Sequence, residues 1–241
     1  MMRNRRENTI KSSRGFTLVE VLLAMVIGTI ILAAVYTATM EGHRASTGIE
    51  QKIAVQEDVR AALDIMAMEI GMASYNPKRS TGLWRLPDCN TAGNTSYKGI
   101  QTTATFDRTI TVEMDLNANG VISTADPNEI ITYNYDTVAQ RITRNTNCGG
   151  AQSFIGDVTA ATNRQRNVRV VNNDLGIPLF RYFDSVGNEI TTANLPTNTS
   201  KIRRIDITIA VIATDPDFQG QTRQIIHTTS VLPRNHAVSV L

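Results

Sequence analysis

Glu20 is the only charged side chain in the 25 residues from Phe16 to Met40. An acid inside so apolar a run needs a partner, because an unpaired carboxylate is expensive in hydrocarbon. The most economical partner is an ammonium group made by cutting the chain after Gly15, within Arg14-Gly15-Phe16-Thr17-Leu18-Val19-Glu20. Two unit charges about 4 Å apart attract by about 1 kcal/mol in water and far more in apolar surroundings. Such a contact would reward one axial register between helices and penalise others.

A second set of oxygen side chains lies at Asp115-Leu116-Asn117-Ala118-Asn119-Gly120-Val121-Ile122-Ser123-Thr124-Ala125-Asp126. Oxygen donors fall at loop positions 1, 3, 5, 9 and 12, with glycine at 6 and an aliphatic residue at 8. This is the spacing of an EF-hand calcium loop, with Asp in place of the usual Glu at the last position. The loop resembles those of dockerin-type modules, where Asp there is normal. Asp115, Asn117, Asn119 and Asp126 would ligate through side chains and Val121 through its carbonyl. Ser123 would ligate directly or through water, with Glu129 an additional reachable carboxylate. Strands rather than helices flank the loop, and few carboxylates face the ion, so the expected affinity is weak and of extracellular type. An Asn/Gly-rich turn without metal is the other reading of the same residues.

No further constellation points to catalysis. His43, His227 and His236 are scattered, and with two distant cysteines there is no zinc spacing. No phosphate-binding glycine loop or nucleophile elbow occurs, so the chain reads as non-enzymatic with no required cofactor. Cys89 and Cys148 both lie beyond the apolar run. In an oxidising compartment they fit a disulfide, contributing roughly 4 kcal/mol through loop closure; two separate thiols are the alternative. Arg164, Arg166 and Arg169, with Arg203 and Arg204, could form a basic patch, but the aromatic interleaving of single-strand binders is absent. The expectation is a solvated face and no nucleic-acid partner.

The elements that position these groups follow from hydropathy. The apolar run is long enough to cross a bilayer as a helix, and it is too long, with its cut site on the wrong side, for an ordinary secretory signal. Helical periodicity continues through Ile49, Ile53, Gln56, Val59, Leu63, Met66 and Ile70, and no proline intervenes before Asn76-Pro77. The helix is therefore expected from 16 to about 74, with a weak stretch at Gly42 and Gly48. Its later half should pack on its own domain. Beyond Pro77 the period becomes two. Strands are expected at 109–114, 129–135, 140–144, 168–171, 178–183, 202–213 and 222–232, with a hairpin loop at 214–220. Residues 145–165 and 191–200 read as loops.

The chain of 241 residues carries net charge +2, but residues 1–15 hold +4 of it. Taking +4 from +2 leaves −2 for the remainder, so there is no global case for a polyanion partner. A basic leader before an apolar span predicts a cytoplasmic N-terminus and export of the rest. The layout is thus a leader at 1–15, a transmembrane half-helix at 16–40, an exported amphipathic half at 41–76 and a β-rich domain at 77–241.

Gly15-Phe16-Thr17-Leu18-Val19-Glu20, after a basic leader and before an apolar helix, closely resembles the signal of type IV pilin-like proteins. The resemblance implies cleavage after Gly15 by a prepilin peptidase and N-methylation of Phe16. It implies an assembly role for Glu20, whose carboxylate would pair with the terminal amine of a neighbouring subunit. It also implies the α+β pilin fold: a long N-terminal helix, half transmembrane, packed on an antiparallel β-rich domain. The phrases Pro178-Leu179-Phe180-Arg181-Tyr182-Phe183-Asp184, Gly187-Asn188-Glu189 and Leu232-Pro233-Arg234-Asn235 look like PilW-type minor pilins and J-type pseudopilins. The expected role is a PilW-like minor pilin that initiates or caps a type IV pilus. Its expected partners are other pilins, the peptidase and, before assembly, the inner membrane. A J-type pseudopilin of type II secretion and a tip adhesin or DNA-binding module are the alternatives.

Overall fold

The computed structural model describes residues 15–85, 98–101, 105–156, 168–213 and 224–237. The chain divides into two compact units, Met1–Gly48 and Ile49–Leu241. Helix α1, Leu18–Gly71, contributes to both. The helix continues through Gly42 and Gly48, so the expected weak stretch is helical, and the boundary between the units falls at the second of those glycines. α1 ends at Gly71, short of the end near 74 expected from the Asn76-Pro77 stop. Ser74 takes a left-handed conformation, φ 65°, and its N–H leaves the helix to donate to the Glu113 carbonyl at 2.8 Å.

In the first unit α1 presents apolar side chains outward. Leu18, Val19, Met25, Ile30, Leu32 and Tyr36 are all more than half exposed.

In the second unit the expected stripe turns inward only from its third turn. Ile49 and Ile53 are exposed, whereas Val55, Val59, Leu63, Met66 and Ile70 are buried. They join one core with Ile110, Val112, Tyr133, Phe180, Ile205, Ile207 and Ile209. Two antiparallel sheets supply those partners. The first runs in the order β1 (Ile100–Gln101), β2 (Thr109–Glu113), β3 (Ile130–Asp136), β4 (Arg141–Thr146) and β5 (Ala151–Ile155). The second is centred on β8 (Arg204–Ala213). The strands β6 (Val168–Val170) and β7 (Phe180–Phe183) share one of its sides, and β9 (Gln224–Val231) covers the other.

A buried ionic contact ties the helix to the first sheet. Arg144 on β4 donates Nη2 to Glu69 Oε1 at 2.6 Å and Nε to Oε2 at 3.1 Å. Its cross-strand partner Tyr133 donates its hydroxyl to the same Oε2. Glu69 is 7% exposed, so three donors compensate for its lost water.

Two loop expectations are corrected. Residues 145–165 contain the end of β4 and all of β5. The turn between them is built from the left-handed backbones of Asn147 and Cys148 and from Gly150 at φ 116°. β5 reads Ala-Gln-Ser-Phe-Ile and is exposed at its first three residues, so no alternation marks it. Residues 191–200 wind into short turns: 3-10 at Thr192–Asn194, helical at Leu195–Asn198 and 3-10 again from Thr199. Two-residue β1 has no periodic signature. The expected hairpin loop at 214–220 lies outside the described residues.

Candidate functional site

Leu18 opens α1, which leaves Thr17 at the N-cap position. Thr17 N–H donates to Glu20 Oε2 at 2.8 Å and Thr17 Oγ1 donates to the same oxygen at 2.9 Å. In return Glu20 N–H donates to Thr17 Oγ1 at 3.3 Å. This is a capping box, in which the cap residue and the residue three positions on satisfy each other's first-turn donors. Among the described residues both bonds that the Glu20 carboxylate accepts use Oε2, which leaves Oε1 for a cation. Sequence reasoning recognised Glu20 and passed over Thr17, although the Thr-x-x-Glu spacing is visible in the chain. Phe16 is 87% exposed, and a Cβ added at Gly15 would touch nothing within 4 Å. Local packing among the described residues therefore sets no requirement for glycine there. Residues 1–14, which carry the leader charges, lie outside the described residues.

The helix that follows suits hydrocarbon. Its most apolar window has mean hydropathy 2.7 and none of it is buried within the protein. Its threonine hydroxyls are spent internally. Thr29 donates to the Val26 carbonyl at 2.8 Å and Thr37 to the Ala34 carbonyl at 2.9 Å, while Thr39 donates to the Val35 carbonyl. Polar groups in a bilayer must be satisfied in this way.

The second candidate is the Asp115–Asp126 loop. Asp115 is fully buried, and its carboxylate accepts Asn119 N–H at 3.0 Å and Gly120 N–H at 2.9 Å. Asn117 Oδ1 accepts Asn119 N–H, Asn119 Oδ1 accepts Val121 N–H, and Ser123 Oγ accepts Ala125 N–H. Asn119 Nδ2 donates to Asp126 Oδ2 at 3.1 Å. Gly120, at φ 86°, allows the tight turn, and an added Cβ would come within 2.8 Å of Ser80 Oγ. Lys78 Nζ donates to the Asn119 carbonyl at 3.1 Å. Glu129 is fully buried beneath the loop and accepts Leu116 N–H at 3.1 Å. Burial pushes its carboxyl up, and the Asp126 and Asp115 charges add to that rise against backbone hydrogen bonds that lower it. Asp115, Asn117, Asn119, Val121, Ser123 and Asp126 thus share one loop. Among the described residues, however, no three His, Cys, Asp or Glu side chains are gathered at a common point for a metal.

Cys148 is disulfide-bonded, and Cys89 lies outside the described residues. Arg164 and Arg166 also lie outside them. Arg203 turns back onto the Ser200 and Ile202 carbonyls. Arg204 stacks on Phe183 with its guanidinium carbon 4.0 Å from the ring centre and pairs with Asp206. Arg169 reaches Gln140. His43 lies on α1, His227 on β9, and His236 is buried in the C-terminal 3-10 turn.

Residues 10–36 match the family described as the prokaryotic N-terminal methylation motif. The matched stretch contains Gly15, Phe16, Thr17 and Glu20. No curated protein and no solved structure matches the chain.

Proposed function

We infer from the N-terminal methylation motif at residues 10–36 that this chain is a structural filament subunit of the prepilin-like family: a PilW-like minor pilin of a type IV pilus. The observation that carries the reading is Glu20. It is the sole acid of the apolar run from Phe16 to Met40, five residues beyond Gly15 and held by Thr17 with one oxygen to spare. In this reading prepilin peptidase cuts after Gly15 and Phe16 becomes the methylated N-terminus. The new ammonium of one subunit then meets Glu20 of its neighbour in a water-poor bundle, where the attraction is strong. The leader stays cytoplasmic, the second unit is exported, and the subunit passes from the inner membrane into the pilus. The two-sheet domain is bulky for a repeating shaft, which supports a low-copy position at the tip.

The test is N-terminal mass spectrometry of the mature protein with imaging of tagged subunits. N-methyl-Phe16 at pilus tips is the expected result, and Gly15→Ala should block processing. A mature N-terminus elsewhere sinks the filament reading. A correct N-terminus with a secretion defect and no pili makes the protein a J-type pseudopilin.

We also propose that the Asp115–Asp126 loop takes calcium weakly. Burial raises the carboxyl of Glu129, the Asp126 and Asp115 charges add to that rise, and a hard divalent ion would relieve the repulsion. Calorimetry at millimolar calcium without heat would retire the idea.

A further inference from the structure

His236 is fully buried in the 3-10 turn Arg234–Ala237, and both of its ring nitrogens face oxygen. Nε2 lies 2.7 Å from the Thr199 carbonyl. Nδ1 lies 2.7 Å from the Lys98 carbonyl and also 2.7 Å from Ser74 Oγ. A carbonyl only accepts, and a neutral imidazole has one donor and one acceptor. Nε2 must therefore carry a proton for Thr199. A bare Nδ1 can accept the Ser74 hydroxyl proton but then presents its lone pair to the Lys98 carbonyl. A protonated Nδ1 can donate to Lys98 but no longer accepts from Ser74. The neutral ring thus serves Ser74 and leaves the Lys98 carbonyl facing a lone pair, whereas the charged ring serves Lys98 and leaves the Ser74 hydroxyl able only to accept from it.

We propose that His236 is a proton-operated clasp whose Nδ1 accepts from the Ser74 hydroxyl when the ring is neutral and donates to the Lys98 carbonyl when it is charged. The exchange takes place at a crowded crossing. Ser74 is the residue that turns the chain out of α1 at φ 65°. A Cβ added at Gly99, next to Lys98, would come within 2.8 Å of the Ser74 backbone and of the Glu113 carbonyl. Ser74 N–H donates to the Glu113 carbonyl and Glu113 N–H to the Gly99 carbonyl, both at 2.8 Å. The ring thus chooses between the end of the helix and the segment entering β1. The charged groups facing it are the cations Lys98 and Arg203, with Arg234 on its own turn. Among the described residues no carboxylate is bonded to the ring. Burial first, and then those two cations, hold its pKa below the ordinary 6.5, against the raising effect of the Thr199 and Lys98 carbonyls. The exchange therefore falls on the acid side of an ordinary imidazole.

The experiment is a titration of the isotope-labelled full-length protein in detergent micelles from about pH 4 to 8, spanning the histidine range. It follows the His236 ring nitrogens and the Lys98 carbonyl carbon. His236→Gln identifies the ring; with only three histidines in the chain, His43→Gln and His227→Gln identify it by elimination if that variant does not fold. The ring should titrate below 6.5, the Lys98 carbonyl should shift with the same midpoint, and Ser74→Ala should move the midpoint upward by removing the neutral form's donor. A ring fixed in one state across the range overturns the proposal, as does a Lys98 carbonyl that stays put while the ring titrates.

Discussion

Thr17 donates its N–H and its hydroxyl to one carboxylate oxygen of Glu20, Oε2, and its Oγ1 accepts Glu20 N–H in return. The residue read from sequence as an acid waiting for a cation is therefore already held by its own helix. Thr17 acts as a positioning residue. Losing an N-cap hydroxyl costs about 1 kcal/mol, and here it would also free the carboxylate to rotate. Thr17→Val should leave cleavage intact and reduce filament incorporation several-fold, while Thr17→Ser should restore it. Glu20→Val should be more severe, again with normal processing. The readouts are N-terminal mass and the subunit recovered in sheared filaments. Normal incorporation of Glu20→Val would refute the pairing argument.

Arg144 and Glu69 make the ionic contact that fixes the second unit's helix to its first sheet. Removing one partner strands the other charge away from water, a loss of about 3 kcal/mol for buried pairs. Arg144→Met should lower the denaturation midpoint markedly. The double variant Arg144→Met with Glu69→Leu should recover much of that loss. Equal losses in the single and double variants would show that packing, not the stranded charge, sets the cost.

Glu113 makes stability fall as pH rises. It is fully buried; Oε2 accepts Arg85 N–H at 2.8 Å, while among the described residues Oε1 and the nearby Gln101 Oε1 have no hydrogen-bond partner. Burial pushes its carboxyl up from 4.5 to about 7, against smaller lowering contributions from Arg85 and Gln101. The folded protein thus binds this proton more tightly than the unfolded chain does. Its stabilising effect is complete below 4.5 and is lost as pH rises to about 7. The loss is on the order of 3 kcal/mol. Glu113→Gln should flatten that part of the stability profile relative to the parent. An unchanged slope would place the titration elsewhere.

Calcium should raise the melting temperature of the full-length protein, and Asp115→Ala should abolish the rise. At calcium tenfold above Kd the stabilisation is about 1.4 kcal/mol. Magnesium makes the control, because it prefers a tighter octahedral shell and keeps its waters. An equal effect of both ions, or a rise that survives Asp115→Ala, would assign the stabilisation to general screening.

The N-terminal segment was legible because its demands are local. Charge sign, hydropathy, the Gly15–Glu20 spacing and the absence of proline from 16 to 76 are all read within a few turns of one helix. The strands with β-branched runs, such as Thr109–Glu113 and Arg204–Ala213, were legible for the same reason. Short or polar elements were not. β1 has two residues, and β5 exposes Ala151, Gln152 and Ser153, so neither leaves a period to detect.

The sequence by itself determined where the N-terminal methylation motif lies, which helix is apolar, which acid is out of place in it and which residues could form an oxygen-rich loop. Only the tertiary structure decided which polar groups meet. Glu69 finds Arg144, 75 residues away, and Ser74 finds His236, 162 residues away. Those pairings depend on how the end of the helix, the strands and the C-terminal turn pack around one core. Burial there makes each unpaired donor or acceptor costly, and no pattern along the chain records which partner will be close enough to satisfy it.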